Sequence, residues 1–344
     1  MFKFIIKMSL VLVLSIPAIF ASDQNLSYCS SKLNILPLLK LKQPDLLDSN
    51  TVIYIHPPKV GGTTLLHAME AFKELKSKRF SVPRKEGVSP ILIIEGWTGG
   101  YVNLDTICKN HQDCDNYRLI NGHFPYGAHQ YINNKYKYIA LIRSPLEREL
   151  SSLNFIYQRG FIKNKNEARE HLLNTTLDNP QVRMLAGSKF MKGKCDDKVF
   201  AIAKANIEKD FLLVGVTEDV DHFIQVMLTL LKLQPIATAR AQVTANKIYD
   251  KLPSDIETIL KEKHKYDLVL YQYVKDRWQR WVKENVIGVQ DIKDKNHILT
   301  ILPEYMASHQ AVYMSIKDIE KQNNFYRNDD LIKIIQHSKL KKGR

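Results

Sequence analysis

An α/β fold with a central, mostly parallel sheet flanked by helices is what the sequence predicts, on three observations. Apolar runs at 51–56, 137–142 and 211–216 have the length and β-branched content of strands buried on both faces. Each passes through a short turn into a stretch with helical spacing, the alternation that builds parallel sheets. At 344 residues and 44% hydrophobic, the chain has the length and composition of a globular protein with one large α/β domain or two small ones.

The central unit is residues 51–71. Val52, Ile53, Tyr54 and Ile55 make the strand, and Pro57-Pro58 ends its ladder. In Lys59-Val60-Gly61-Gly62-Thr63-Thr64 two glycines allow close approach of the backbone to a ligand, and Thr63 or Thr64 stands at the N-cap of the helix carrying Leu65, Leu66, Met69 and Phe72. Loop amides, helix terminus, Lys59 and two hydroxyls converge on one anion-sized space. The plainer alternative is an ordinary strand-turn-helix connection with a surface lysine.

Before this unit, Lys3 and Lys7 precede an uncharged apolar run at 8–21, so residues 1–22 are expected to be a signal peptide or a signal anchor. Residues 23–50 follow as a stem or lead-in, the main domain occupies 51–285, and 286–344 is a C-terminal extension without assigned structure. After 71 comes a basic stretch at 73–86, then a short strand at 91–94 leading to Glu95 and Trp97. A further strand at 118–124 ends in His123. Strand ends and the loops after them form the ligand crevice of a parallel sheet, which makes His123 a candidate catalytic imidazole, although a histidine there is often structural.

The strand at 137–142 runs directly into Arg143-Ser144-Pro145. Pro145 suits the first helical turn and Glu147 suits its dipole, while Leu146, Leu150, Leu153 and Ile156 form the apolar face. Arg143 and Ser151, a fork of donors and a hydroxyl, are candidates to hold one phosphate. Gln181 and Arg183 in the segment 179–187 either serve the site or cap a loop. Helices are expected at 197–210, 222–233 and 266–284.

The balance of 50 Lys+Arg against 36 Asp+Glu, a net charge of +14, favours an anionic partner. Four cysteines fit an oxidising compartment: Cys108 and Cys114 are spaced for a small loop, Cys29 and Cys195 for a bridge from stem to body, and connectivity stays open. Asn25-Leu-Ser and Asn174-Thr-Thr are acceptor sequons for N-glycosylation.

Two linked signatures resemble a known group, the Golgi carbohydrate sulfotransferases that use 3'-phosphoadenosine 5'-phosphosulfate (PAPS), and especially the heparan sulfate 2-O- and 6-O-sulfotransferase type. Pro58-Lys59-Val60-Gly61-Gly62-Thr63-Thr64 matches the first; Leu141-Ile142-Arg143-Ser144-Pro145-Leu146-Glu147-Arg148 with Ser151 matches the second, Ile142 replacing the usual leucine. The resemblance spans roughly 51–278. It implies a single P-loop-containing sulfotransferase domain with PAPS as co-substrate and no metal. Lys59, Val60, Gly61, Gly62, Thr63 and Thr64 would hold the 5'-phosphosulfate, with Lys59 stabilising the leaving phosphate, and Arg143 and Ser151 would hold the 3'-phosphate.

His123 is the implied base, with Glu95 in reserve and His56 and His129 as weaker candidates. The implied acceptor is an anionic glycan such as a glycosaminoglycan, with no nucleic acid, and membrane contact only through the N-terminal anchor. The location is the secretory pathway, in the Golgi lumen or outside the cell. Three rival readings remain: a secreted glycan-binding protein without turnover, a sulfotransferase for protein tyrosine, and a P-loop kinase. The kinase reading is weakened because the lysine precedes the glycines.

Overall fold

The computed structural model describes residues 33–47, 50–61, 65, 68, 91–94, 115, 117–238, 246–296, 298–303, 309–317 and 319–320. Its centre is a five-stranded parallel sheet built from β3 (Thr51–Ile55), β4 (Ile91–Ile94), β5 (Leu119–Gly122), β6 (Tyr136–Ile142) and β7 (Phe211–Val216), in the order β4-β5-β3-β6-β7. β3 and β5 are buried along their whole length, as are the last five residues of β6, which is why these strands read as continuous apolar runs rather than alternating ones. The α/β architecture expected from the sequence is the one observed.

Seven α-helices occur among the described residues: α1 (Pro145–Gln158), α2 (Lys165–Glu170), α3 (Pro180–Ala186), α4 (Asp197–Asp210), α5 (Val220–Leu230), α6 (Ser254–Lys263) and α7 (Lys265–Asn285). Pro145 opens α1 at its first position and Glu147 sits in its first turn, as the residue types require. α5 and α7 lie against the sheet near β7, where Phe223 of α5 packs on Trp278 of α7 with ring centroids 5.5 Å apart. Gly215 makes that approach possible, because a Cβ there would stand 2.4 Å from the Phe223 ring.

The flanking segments are more structured than their sequence announced. β1 (Asn34–Leu36) pairs antiparallel with β8 (Ile236–Thr238), which runs parallel to β10 (Ile298–Pro303), itself antiparallel to β11 (His309–Met314). β2 (Leu39–Leu41) pairs with β9 (Val286–Val289). Residues from the lead-in and from the C-terminal extension are thus joined through these two smaller sheets. Strands of three or four residues are too short to display a period, so they form only because partners already stand beside them.

The segment 179–187 is the largest difference from the sequence reading. Its Asn-Pro start resembles a turn, yet all seven residues of α3 are buried. Arg183 is satisfied internally: it donates to Asp178 O (2.8 Å), Asp178 Oδ1 (2.7 Å), Phe190 O (2.7 Å) and Gly193 O (2.8 Å), so it is a structural residue. Neither α3 nor α7 is capped by its own flanking residue. Instead each caps the other. Asp267, in the first turn of α7, accepts from Gln181 N (3.2 Å) and Val182 N (2.8 Å) at the start of α3. Asn179, in the left-handed conformation just before α3, accepts through Oδ1 from Tyr266 N (2.9 Å) and Asp267 N (3.1 Å) at the start of α7. Burial raises the Asp267 carboxyl to about 6, against the opposing pull of these amides and of Arg148.

Several expectations fall outside the described residues: the segment 1–22, Asn25, Cys29, Cys108 and Cys114, and the basic stretch 73–86. Cys195 is a free, buried thiol, and Cys29, the partner considered for it from the sequence, lies outside the described residues. Among the described residues no helix is long and apolar enough to cross a membrane. Asn174 is exposed on a single π-helical turn.

Removing the Asp267 carboxylate leaves buried amides of α3 without an acceptor. Asp267→Ala is expected to lower unfolding stability by about 2–4 kcal/mol in a denaturant titration.

Candidate functional site

The strand order places the site. From β3 the sheet extends outward through β5 to β4 on one side, and β6 with β7 extends it on the other. The loop after β3 and the loop after β6 therefore diverge at their carboxyl ends, the switch point where parallel sheets open a crevice. Lys59 and Arg143 meet there, the Arg143 Nη1 donating to the Lys59 carbonyl at 3.3 Å. His123 emerges from the end of neighbouring β5, and Thr217 from the end of β7.

The loop after β3 is held in an unusual shape. Lys59 has φ +70° and Gly61 has φ +84°, so the chain enters the left-handed region twice within three residues. Thr217 anchors this shape: its Oγ1 is 2.7 Å from Val60 O and 3.1 Å from Ile142 O, tying the loop to the end of β6. Gly61 is also confined in space, since a Cβ there would approach the Thr217 methyl to 3.3 Å. Val60 is fully buried, and Leu65 N, donating to Gly61 O at 3.4 Å, begins the turn beyond. Gly62, Thr63 and Thr64 lie outside the described residues, as do Glu95 and Trp97.

Arg143 is positioned from behind. The Gln181 side chain brackets its backbone, Oε1 accepting from Arg143 N (2.9 Å) and Nε2 donating to Arg143 O (2.8 Å). Gln181 belongs to the α3 terminus that Asp267 caps, so the cap and the site are continuous. The Arg143 guanidinium also faces Glu147, 3.7 Å away at the surface. Ser151 sits half-buried two turns into α1; among the described residues no contact joins it to Arg143 or Lys59.

The electrostatics are one-sided. Lys59 is half-buried, and burial, with Arg143 and Arg159 nearby, pushes its ammonium down to about 8. Among the described residues it has no carboxylate partner. Its Nζ lies 4.0 Å from the centre of the Phe155 ring, and Arg159 lies over the same ring at 4.9 Å. Three cations therefore gather beside the crevice, and among the described residues Glu147 and Glu218 offset one of them, Arg143. Phe155 and Arg159 went unnoticed in the sequence, where one is a core-spaced aromatic and the other an ordinary helix-end cation. Thr217 had a usable signal, because it is the first residue after a buried parallel strand.

His123 is half-buried, with Nδ1 facing the interior and without a hydrogen-bond partner. Burial and the charge of Lys59 lower it to about 4, so it is a neutral imidazole at physiological pH. His56 is buried beside it, the two rings meeting edge to face at 4.6 Å. His129 stands apart: its amide (2.9 Å) and Nδ1 (3.0 Å) both meet the Tyr138 hydroxyl within a cluster formed with Tyr126 and Tyr136. No group of three or more histidine, cysteine or acidic residues close enough to hold a metal occurs among the described residues.

No family model matches the chain, and no curated protein matches it. Among solved structures it is similar to a sulfotransferase from Alicyclobacillus acidocaldarius, with 10% identity and a TM-score of 0.33, covering 67% of this chain and 99% of that one. A likeness that remote assigns no chemistry.

The arrangement is suited to binding an anion and to accepting a proton beside it. A test of the loop's part is Gly61→Ala. Forcing a side chain into φ +84° against Thr217 is expected to weaken anion binding at the loop, read by calorimetry with pyrophosphate, by roughly tenfold.

Proposed function

We propose that this chain is a PAPS-dependent O-sulfotransferase whose acceptor is a hydroxyl of an anionic glycan, working in the secretory pathway. One observation carries the reading: a half-buried lysine in a strained glycine loop, with no carboxylate partner among the described residues, close to Arg143 and Arg159 and next to a neutral histidine. A lysine so placed is costly in the free protein and becomes favourable when an anion sits against it. The two linked signatures at 58–64 and 141–151 support the choice of PAPS over ATP, and the net charge of +14 supports an acidic acceptor.

The residues fit a ligand with two separated anionic groups. The loop at Lys59, Val60 and Gly61, continuing to Gly62, Thr63 and Thr64, would take the 5'-phosphosulfate; Arg143, braced by Gln181, would take the 3'-phosphate with Ser151. Bound PAPS supplies the sulfuryl group. Lys59 supplies positive charge where the departing phosphate gains negative charge, the kind of fixed electrostatic aid that transfer through a loose transition state requires. His123, neutral and half-buried, receives the proton of the acceptor hydroxyl. Arg143 and the loop hold the reacting groups in line, so the chemistry is mostly positioning.

The deciding assay is transfer of labelled sulfate from PAPS to heparan, chondroitin and dermatan chains and to a tyrosine peptide. Wild type is expected to label a glycan and not the peptide; Lys59→Ala and His123→Ala are expected to lose at least about a hundredfold in kcat. Bound PAPS with no transfer to any acceptor would instead support a glycan-binding protein. Arg143→Ala is expected to raise the KM for PAPS more than it lowers kcat.

The pH profile gives an independent check. kcat/KM is expected to rise as His123 loses its proton through about pH 4 and to fall above about pH 8 as Lys59 loses its own. A profile flat across both ranges would remove these two groups from the rate-determining chemistry.

A further inference from the structure

The contact between His56 and His123 has more to it than shared burial. β3 and β5 are paired in register, Tyr54 opposite Asn121 and Ile55 opposite Gly122, and His56 N extends the ladder by donating to Gly122 O at 3.0 Å. Side chains two apart on a strand share a face, so Tyr54 and His56 stand over the same side as Asn121 and His123. The His56 ring stacks on Tyr54 at 5.5 Å with an interplanar angle of 7°, then meets His123 at 73°. Tyr54 and Asn121 are completely buried, and His56 is 4% exposed. Among the described residues Tyr54 OH, His56 Nδ1, both Asn121 side-chain polar atoms and His123 Nδ1 all lack hydrogen-bond partners.

We infer that His56 is a positioning residue for His123, holding the imidazole ring at a fixed angle through their edge-to-face contact. This inference rests on the reading of His123 as the base. If the Tyr54-His56 stack served packing alone, a phenylalanine at position 56 would fill the same space without burying an unpaired nitrogen. A nitrogenous ring kept there must offer something a hydrocarbon ring does not. Burial, His123 and Lys59 all hold His56 in its neutral form, so it can face His123 without adding a second positive charge when His123 takes up a proton. Its ring face and in-plane lone pair are then favourable neighbours for the imidazolium.

The test combines turnover with a signal from His123 itself. Nitrogen-15 spectra of the histidine rings are recorded for wild type, His56→Phe and His56→Gln, with His123→Ala giving the assignment, and PAPS kinetics are measured on the same proteins. His56→Phe is expected to keep its melting temperature and its affinity for adenosine 3',5'-bisphosphate, because the ring still stacks on Tyr54. It is expected to move the His123 ring signals and to lower kcat roughly tenfold or more, with the KM for PAPS within about twofold of wild type. His56→Gln, which restores a polar atom, is expected to recover part of the loss; it also serves as the reading variant if His56→Phe does not fold. Unchanged His123 signals and unchanged kcat in the folded variants would overturn the inference. If wild type transfers no sulfate but the His123 signals still follow His56, the positioning contact stands and the proposed activity falls. If transfer depends on His123 and ignores His56, the activity stands and this inference falls.

Discussion

The site depends on a pair of helix caps exchanged between segments more than eighty residues apart. Asp267 satisfies the first amides of α3, and Asn179 satisfies those of α7. Because each helix supplies what the other lacks, neither start can shift without stranding buried amides on its partner. Gln181 passes that rigidity to the Arg143 backbone, and Arg143 passes it to the Lys59 carbonyl. A surface loop thereby acquires the fixed geometry of a helix terminus in the core.

This bracing answers an electrostatic difficulty. Gathering Lys59, Arg143 and Arg159 in one place, with Lys59 half-buried, is unfavourable in the absence of an anion. A pliable loop would relax by swinging the lysine into solvent. Thr217 and Gln181 oppose that from the backbone side, and the Phe155 face gives the ammonium a weak partner in the meantime. Further along α1, Arg148 pairs with Glu149, and Glu149 lies 3.4 Å from His264, so the acids of this region are largely engaged away from Lys59. Among the described residues the charge of Lys59 is thus left without a carboxylate partner, while Arg143 beside it is offset by Glu147 and Glu218.

Much of the fold was legible in the sequence where an element is long and has one dominant environment. The buried strands announced themselves as apolar runs, and Pro145 with Glu147 marked the start of α1 to the residue. The α4 limits, Asp197–Asp210, follow directly from the helical spacing. What stayed hidden was whatever depends on a partner distant in the chain. β1, β2, β8 and β9 are too short to carry a pattern, and α3 opens with turn residues whose polar groups are met only by α7. In the site, Lys59, His123 and Arg143 were marked by position after strands, whereas Arg159 and Phe155 have no local signature. Gln181 was visible as a polar residue without a purpose until its two bonds to Arg143 gave it one.

The central place of β3 carries a consequence for how the chain is made. It is the earliest strand of the main sheet, yet its two neighbours are β5 and β6, which begin 68 and 85 residues later by the numbering of Thr51, Leu119 and Tyr136. As the chain emerges from the ribosome, the Val-Ile-Tyr-Ile segment therefore exists with both hydrogen-bonding edges open until most of the first half has been synthesised. Such a segment is an apt template for wrong pairing between nascent chains. Productive folding is then a race between insertion of β3 into its slot and its capture by another copy, and slow translation before residue 142 lengthens the exposure.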